Sequence, residues 1–144
     1  MSEAAPDRIH VSLCSDPRYL PLVRALAQQG AELAGFGDEA RDTLLLAVSE
    51  AVSNVIRHAY RDRHDQPVDI DLRARPGWVQ VEVVDRGRFV DPSQIQSRPL
   101  DEIRPGGLGV HLMRATMDSV EYRKNDFGGT TLTLVKRAAP PALA

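Results

Sequence analysis

Hydrophobic and polar residues alternate along three stretches of the chain, and this two-residue period predicts β-strands. The stretches are "RIHVSLCS", "VDIDLRA" and "WVQVEVVD". The turn sequence "RPG" separates the second stretch from the third, which is typical of a β-hairpin. Near the end of the chain, "SVEYRK", the turn "NDFGG" and "TTLTLVKR" predict a second hairpin.

Two helices are expected between the first strand and the first hairpin. The stretch "SDPRYLPLVRALAQQGAELAG" can be capped by Ser15 or Asp16. Pro21 can move the start of this helix later, because an interior proline breaks the hydrogen-bond ladder. Two glycines then end the first helix, and Asp38 is expected to cap a second helix from about residue 39 to residue 60.

The pattern weakens after the third strand. Residues 86–105 contain three prolines and few sustained apolar positions, and a connection of that length is usually functional or mobile. "GGLGVHLMRATMD" follows, opening with glycines and becoming helical. We interpret residues 1–144 as one domain with a core at about 9–136 and a flexible tail at 137–144.

Composition limits the classes of protein to which this chain can belong. The 144 residues are 42% hydrophobic and 26% charged, which suits one folded domain of ordinary size. A formal net charge of −2 gives no basic surface for nucleic acid. Cys14 is the only cysteine, so no internal disulfide can form, and no apolar run resembles a signal sequence or a membrane span. We therefore expect a cytoplasmic protein without direct nucleic-acid or membrane contacts.

One face of the second predicted helix carries Glu50, Asn54 and His58 at four-residue spacing, which stacks their side chains. The apolar residues of this helix fall on a separate arc: Val48, Val52, Val55 and Ala59. A carboxylate can accept a proton from an attacking hydroxyl, and an amide oxygen four residues later can hold Mg²⁺. Taken alone, the same line is more typical of a solvated helix face than of a site, and His58 can simply pack or cap.

Two further motifs lie at strand ends. Asp85 ends an apolar strand, where a carboxylate can accept a hydrogen bond from an adenine amino group, and Gly87 would let a flat ring approach the backbone. In "GGTTLTL", Thr130 or Thr131 can offer a hydroxyl to a base or a bridging water. Alone, each motif also fits an ordinary strand with a turn.

The stretch "RPGGLGVHL" places three glycines within four residues at the start of a helix. Such a loop can present backbone N–H groups to a phosphate chain, although a plain loop-to-helix junction has the same composition. It lacks the Lys-Ser/Thr of a Walker A loop and the third glycine of a Rossmann fingerprint. Four scattered histidines and one cysteine predict no zinc cluster.

Together the motifs have a specific order: Glu-x-x-x-Asn in a helix, Asp-x-Gly at a strand end, Gly-x-Gly at a helix start and Gly-Thr entering a strand. This order resembles the GHKL ATPase family, which comprises gyrase, Hsp90, histidine kinases and MutL, and the resemblance covers about residues 9–136. Two segments resemble the anti-sigma-factor serine kinases of the RsbW and SpoIIAB type: "AVSEAVSNVIRHAY" and "GGLGVHLMRATMDSVEY".

The resemblance implies a two-layer α/β sandwich of the Bergerat type, with helices on one face of a mixed, mostly antiparallel sheet and ATP between the helices and a lid. By the family pattern, Glu50 is the catalytic base and Asn54 coordinates Mg²⁺. Asp85 binds the adenine amino group, Gly87 admits the ring and Thr130 supports the adenine contact.

The resemblance also assigns nucleotide binding to His58 and to the glycine-rich loop. Gly107 and Gly109 would bracket the phosphates, and the helix beginning near Val110 would point its positive end at them. The expected binding residues of this loop are Arg104, Gly106, Gly107, Leu108, Gly109 and Val110.

Two positions depart from the family pattern. Phe89 stands where many members have a second glycine in the adenine motif. Pro105 stands where some members have an arginine that contacts the γ-phosphate, and Arg104 can replace that arginine by a register shift. No phosphoacceptor helix pair or transducer domain is evident, so a two-component kinase or a gyrase-like motor is not expected.

The function implied is that of a partner-switching regulator. With Mg²⁺-ATP the protein would phosphorylate a serine or threonine of an anti-anti-sigma (STAS-domain) partner, and it would sequester a sigma factor or another regulator. A homodimer is expected by the same resemblance. The alternatives are a non-catalytic ATP-binding module that acts by protein binding only, and an interaction domain that binds no nucleotide.

Overall fold

The structure is a computed structural model that describes residues 5–89 and 107–138, with the backbone alone for residues 107–111. Five strands and three longer helices follow one another along the described chain. In chain order they are β1 (Asp7–Cys14), α1 (Leu20–Ala34), α2 (Asp38–Asn54), β2 (Pro67–Arg75), β3 (Trp78–Asp85), α3 (Gly107–Thr116), β4 (Ser119–Lys124) and β5 (Thr130–Arg137). A 3₁₀ turn at Pro17–Tyr19 precedes α1, and a π-helical turn at Val55–Ala59 follows α2.

The five strands form one sheet in the order β1-β2-β3-β5-β4. Every pairing among them is antiparallel, with Asp7 opposite Ala74 at one edge and Ser119 opposite Val135 at the other. Helices α1 and α2 pack on each other and on the central strands. This arrangement confirms the predicted two-layer α/β class, and the described sheet is antiparallel throughout rather than mixed.

The core lies between the helices and one face of the sheet. Alternate residues of β2 and β3 are fully buried there: Val68, Ile70, Leu72, Ala74, Val79, Val81 and Val83. Helix α1 approaches this face closely because it carries Gly30, where a Cβ atom would lie 2.7 Å from Leu72 Cδ1. The small residues Ala27 and Ala31 are buried on the same helix. Burial of these apolar surfaces is the main contribution that stabilises the layers.

Helix α1 begins late, as the proline at residue 21 predicts. Asp16 caps the short 3₁₀ turn instead, where its Oδ1 accepts a hydrogen bond from the backbone N–H of Arg18 at 3.0 Å. The expectation that Asp38 caps α2 was wrong, because Gly37 is the N-cap and Asp38 is the first helical residue. In that position the Asp38 carboxylate still interacts favourably with the positive end of the helix dipole.

The second predicted helix does not remain α-helical to Tyr60. Its α-helical part ends at Asn54, and in the π-helical turn the N–H of Tyr60 donates to the carbonyl of Val55, five residues earlier, at 3.0 Å. Arg61 and Asp62 then adopt positive φ angles of 50° and 62°. His58 lies within this turn, so π-helical rather than α-helical spacing sets its position relative to Asn54. Single π turns inside helices are frequent at functional sites.

The hairpin predictions are confirmed, including the bounds of β3, β4 and β5. Gly77 and Gly128 have φ angles of +79° and +84°, which glycine adopts without strain. Within residues 5–89 and 107–138, no helix combines the length and hydropathy needed to cross a bilayer. Most of the predicted irregular connection, 90–105, and the tail from 139 onward lie outside the described residues.

Candidate functional site

A cleft lies where the end of α2 and its π-helical turn meet the ends of the central strands. The side chains that line it are Ala51, Asn54, Val55, His58, Ala59, Val83, Asp85, Arg88, Tyr122, Thr130 and Leu132. Apolar side chains thus form much of the wall, and a few polar groups converge on it. This composition is typical of a small-molecule site. The structure brings four of the predicted residues together here: Asn54, His58, Asp85 and Thr130.

Asp85 is the buried carboxylate of the cleft, with 2% of its surface exposed. It ends β3 on the face that packs against the helices. Its Oδ1 accepts hydrogen bonds from the backbone N–H groups of Gly87 at 3.0 Å and Thr130 at 3.2 Å. Burial raises the pKa of Asp85, and the N–H groups of Thr130 and Gly87 partly oppose that rise. A carboxylate fixed in this way is a directional acceptor on an otherwise apolar wall.

Asn125 supports Asp85 from the turn between β4 and β5, and the sequence patterns did not identify it. Its Nδ2 donates to the backbone carbonyl of Asp85 at 2.8 Å. Its Oδ1 accepts from the N–H groups of Phe127 and Gly129, at 3.0 and 3.1 Å. The only sequence sign was its place in "NDFGG", where an asparagine is typical of a turn. The contact to Asp85 spans 40 positions and has no local sequence pattern.

Two glycines allow the segments around Asp85 to lie close together. A Cβ on Gly87 would lie 2.6 Å from the carbonyl oxygen of Ala59. A Cβ on Gly129 would lie 2.6 Å from Oδ1 of Asp85. Real Cβ atoms do not approach other atoms so closely, so both positions require glycine. For Gly87 the structure thus shows a packing requirement beside the predicted role of admitting a ring.

Asn54 has no hydrogen-bond partner for its side chain within the described residues. Both Oδ1 and Nδ2 are buried, and neither forms a hydrogen bond there. A buried amide without partners is costly, and most buried polar groups in folded proteins are paired. The side chain lines the cleft, so a bound molecule or ion would lie beside it.

Glu50 lies one helical turn before Asn54, outside the set of residues that line the cleft. Its side chain is 28% exposed, and its Oε2 lies 3.9 Å from Nη2 of Arg57. The helix therefore places the carboxylate at the margin of the cleft rather than inside it. That position suits a group that acts on a second molecule arriving from solvent.

The glycine-rich loop is described only in part. Helix α3 already includes Gly107, so the prediction that it begins near Val110 was wrong by about one turn. Residues 107–110 form its first turn, and the helix packs against α2. The predicted residues Arg104 and Gly106, and the departure at Pro105, lie outside the described residues.

Three other residues of the site were missed by the sequence patterns. Arg88 and Tyr122 line the cleft. Burial raises the pKa of Tyr122, and the nearby charge of Arg114 partly opposes the rise. Tyr60 is buried behind the cleft, where its hydroxyl contacts the segment that follows Asp85. Tyr60 and Tyr122 reach the site through tertiary packing, so no spacing in the sequence could indicate them, whereas Arg88 directly follows the predicted Asp-x-Gly motif.

Comparison with known proteins agrees with this geometry. Residues 13–136 match the family described as the histidine kinase-like ATPase domain. The serine/threonine-protein kinase BtrW of Bordetella bronchiseptica is 36% identical over an alignment of 104 residues, and the match covers 69% of this chain and 72% of that protein. The serine-protein kinase RsbW of Bacillus subtilis is 30% identical over an alignment of 138 residues, and the match covers 90% of this chain and 85% of that protein.

A solved structure shows the same fold. The crystal structure of the RsbU and RsbW domains of a Mycobacterium tuberculosis protein superposes with a TM-score of 0.63 at 20% identity. The match covers 91% of this chain but only 32% of that longer chain. The chain therefore belongs to the histidine kinase-like ATPase family, and its relatives confirm the predicted type within that family, the serine-protein kinases of the RsbW kind.

Proposed function

We propose that the protein uses Mg²⁺-ATP to phosphorylate a serine or threonine of an anti-anti-sigma (STAS-domain) protein. It also sequesters a sigma factor or another regulator when that partner is not available in its unphosphorylated form. The observation that carries the proposal is one cleft with a buried carboxylate, Asp85, and a buried amide, Asn54, that has no hydrogen-bond partner among the described residues. Family membership makes ATP the substrate to which these two groups correspond.

The adenine base is assigned to the apolar part of the cleft. The carboxylate of Asp85, which backbone N–H groups hold in place, accepts a hydrogen bond from the amino group of adenine. Thr130 lines the cleft beside Asp85, and its hydroxyl supports the base directly or through water. Val83 and Leu132 contact the faces or edges of the ring through the same wall.

Magnesium is assigned to Asn54. The described residues contain no group of three or more His, Cys, Asp or Glu side chains that could hold a metal alone. Mg²⁺ commonly keeps water and substrate phosphates among its ligands and takes only one or two from the protein. The amide oxygen of Asn54, which is buried and accepts no hydrogen bond from the described part of the chain, fits that limited share. His58 and the first turn of α3 are assigned to the remainder of the nucleotide.

Glu50 is assigned the role of the catalytic base, which accepts the proton released in the reaction. The attacking hydroxyl oxygen of the partner forms a bond to the γ-phosphorus of ATP while the bond between that phosphorus and the bridging oxygen of ADP breaks, so that ADP leaves and the hydroxyl proton passes to the Glu50 carboxylate. Phosphoryl transfer depends mainly on positioning and on neutralisation of charge, so few protein groups are needed. The position of Glu50 at the margin of the cleft is compatible with a protein substrate that approaches from solvent.

A second candidate function keeps the nucleotide but omits the transfer. Pro105 stands where some family members have a phosphate-contacting arginine, and this departure motivates a non-catalytic module whose ATP binding controls a regulator. In either case the resemblance favours a homodimer as the active assembly.

Transfer of label from [γ-³²P]ATP to a purified STAS-domain protein encoded in the same genome tests the choice. Glu50→Gln should abolish transfer while ATP binding persists, whereas Glu39→Gln, an exposed carboxylate on the same helix, should leave both unchanged. ATP binding without transfer to any STAS-domain protein of the genome would favour the non-catalytic module.

A further inference from the structure

The residue that ends the π-helical turn, Tyr60, connects three separate segments through one hydroxyl group. Its side chain is buried, with 5% of the residue exposed. The hydroxyl donates a hydrogen bond to the backbone carbonyl of Pro67, where β2 begins, at 2.6 Å. It accepts one from the backbone N–H of Arg86, directly after β3, at 2.7 Å. The hydroxyl thus uses both of its hydrogen-bonding functions on the backbone.

The N–H that Tyr60 holds belongs to the middle residue of a three-residue turn, Asp85 to Gly87. At one end of the turn, Asp85 carries the buried carboxylate. At the other end, Gly87 donates its N–H to that carboxylate and packs against the carbonyl of Ala59. A displacement of the Arg86 amide therefore moves both the carboxylate and one of its two N–H donors.

We propose that Tyr60 is a positioning residue for recognition of the purine base. Its hydroxyl fixes the turn at residues 85–87 so that the Asp85 carboxylate meets the 6-amino group of adenine, and the base selectivity of the site depends on that hydroxyl. The inference rests on the proposed function, because it takes the base to lie against Asp85.

The environment of Tyr60 suits this role. Burial raises the pKa of its hydroxyl, while the N–H of Arg86 partly opposes the rise and the charge of Asp85 adds to it. The hydroxyl therefore remains protonated and keeps its hydrogen bond to Pro67 at physiological pH. Phenylalanine would keep the same ring in the core, so Tyr60→Phe removes the hydrogen bonds with little change in packing.

The test compares dissociation constants for Mg²⁺-ATP and Mg²⁺-ITP, in which an oxygen replaces the 6-amino group. Wild type should prefer ATP, because ITP presents an acceptor to the Asp85 carboxylate. Tyr60→Phe should lower the ratio of the ITP dissociation constant to the ATP dissociation constant by about five-fold or more, mainly by weakening the binding of ATP. One misplaced hydrogen bond changes an affinity by roughly that factor. The thermal unfolding midpoint of each variant is recorded beside its binding.

Ser15→Ala is the matched control. Ser15 is fully buried, and its hydroxyl also bridges two backbone groups, donating to the carbonyl of Arg63 and accepting from the N–H of Gln66. This bridge lies at the start of β2 but does not contact the turn at residues 85–87. Ser15→Ala should lower the unfolding midpoint and keep the preference for ATP. The amide resonances of Gly87 and Thr130 should shift in nucleotide-free Tyr60→Phe and stay in place in Ser15→Ala.

Two outcomes separate the inference from the function on which it rests. In the first, wild type prefers ATP while Tyr60→Phe keeps the same preference and leaves the Gly87 and Thr130 amide resonances unshifted. This result overturns the positioning role alone, whatever the unfolding midpoint of the variant. A wild type that binds neither nucleotide overturns the proposed function and the positioning role with it.

Discussion

The backbone of Gly87 lies directly against the carbonyl oxygen of Ala59, so that a Cβ atom at residue 87 would lie 2.6 Å from that oxygen. This contact joins the π-helical turn to the segment that follows β3. Both segments contribute to the cleft, since Ala59 and Arg88 line it. The shape of the cleft therefore depends on the absence of a side chain at residue 87.

Gly87→Ala should lower the free energy of unfolding by about 1–3 kcal/mol, because the new methyl group meets backbone atoms that cannot move without shifting the turn. Affinity for ATP should fall as well. Chemical denaturation and calorimetry measure the two effects. Gly37→Ala is the control, since a Cβ there meets nothing within 4 Å and φ is −73°. It should cost no more than about 1 kcal/mol, because alanine is a poorer N-cap than glycine, and it should leave the affinity for ATP unchanged.

Asn54→Ala and Asn125→Ala should affect stability differently. Asn54 has no hydrogen-bond partner to lose within residues 5–89 and 107–138, so removing its buried amide should leave the unfolding free energy within about 1 kcal/mol of wild type or raise it. Asn125 makes three hydrogen bonds to the backbone around Asp85, and its loss should cost about 2–3 kcal/mol. Urea denaturation of the nucleotide-free proteins provides the comparison.

Asn54→Ala should also lose the increase in ATP affinity that magnesium gives to wild type. Calorimetric titration with ATP, with and without Mg²⁺, measures that increase. A variant that keeps the full magnesium effect would exclude Asn54 as the ligand. If the unfolding free energy fell as far as in Asn125→Ala, the amide would have a structural partner instead.

Asp85 should make the protein less stable as pH rises through the acidic range. Burial raises its pKa in the folded state above the ordinary value for aspartate of about 3.9. Between these two pKa values the folded state binds more protons than the unfolded state, so the free energy of unfolding falls with increasing pH. Asp85→Asn removes this dependence. The difference in unfolding free energy, variant minus wild type, should therefore rise with pH between the two pKa values of Asp85 and level off above the higher one.

Asp71 should show the opposite dependence. Burial by itself raises the pKa of Asp71. Hydrogen bonds from Arg8, His10 and Arg73, together with the charge of Arg8, lower it by more than burial raises it, so the net shift of the pKa is downward. Its stabilising effect is therefore present above the ordinary aspartate pKa and is lost as pH falls through the lowered one. For Asp71→Asn, the same difference should fall with rising pH, by about 1 kcal/mol because Arg8 is largely exposed. Equal slopes for the two variants would contradict both assignments.

Local patterns were sufficient for most of the architecture. The alternation in "WVQVEVVD" and "TTLTLVKR" predicted β3 and β5 with their observed bounds, because one face of each strand is buried and the side chains alternate between faces. The π-helical turn was not predicted. Its hydrogen bonds compete with α-helical ones of similar energy, and the packing of Ala59 against Gly87 accompanies the π-helical choice.

By itself, the sequence determined the elements, the order of the motifs and the family, since each depends on residue type and near-neighbour spacing. Only the tertiary structure decided which polar groups meet. Tyr60 reaches Arg86 across 26 positions and Asn125 reaches Asp85 across 40, while Asn54 finds no partner in the described chain. Contacts between distant positions follow from how the layers pack, and the free energy of that packing is shared by the whole core rather than encoded in any short stretch.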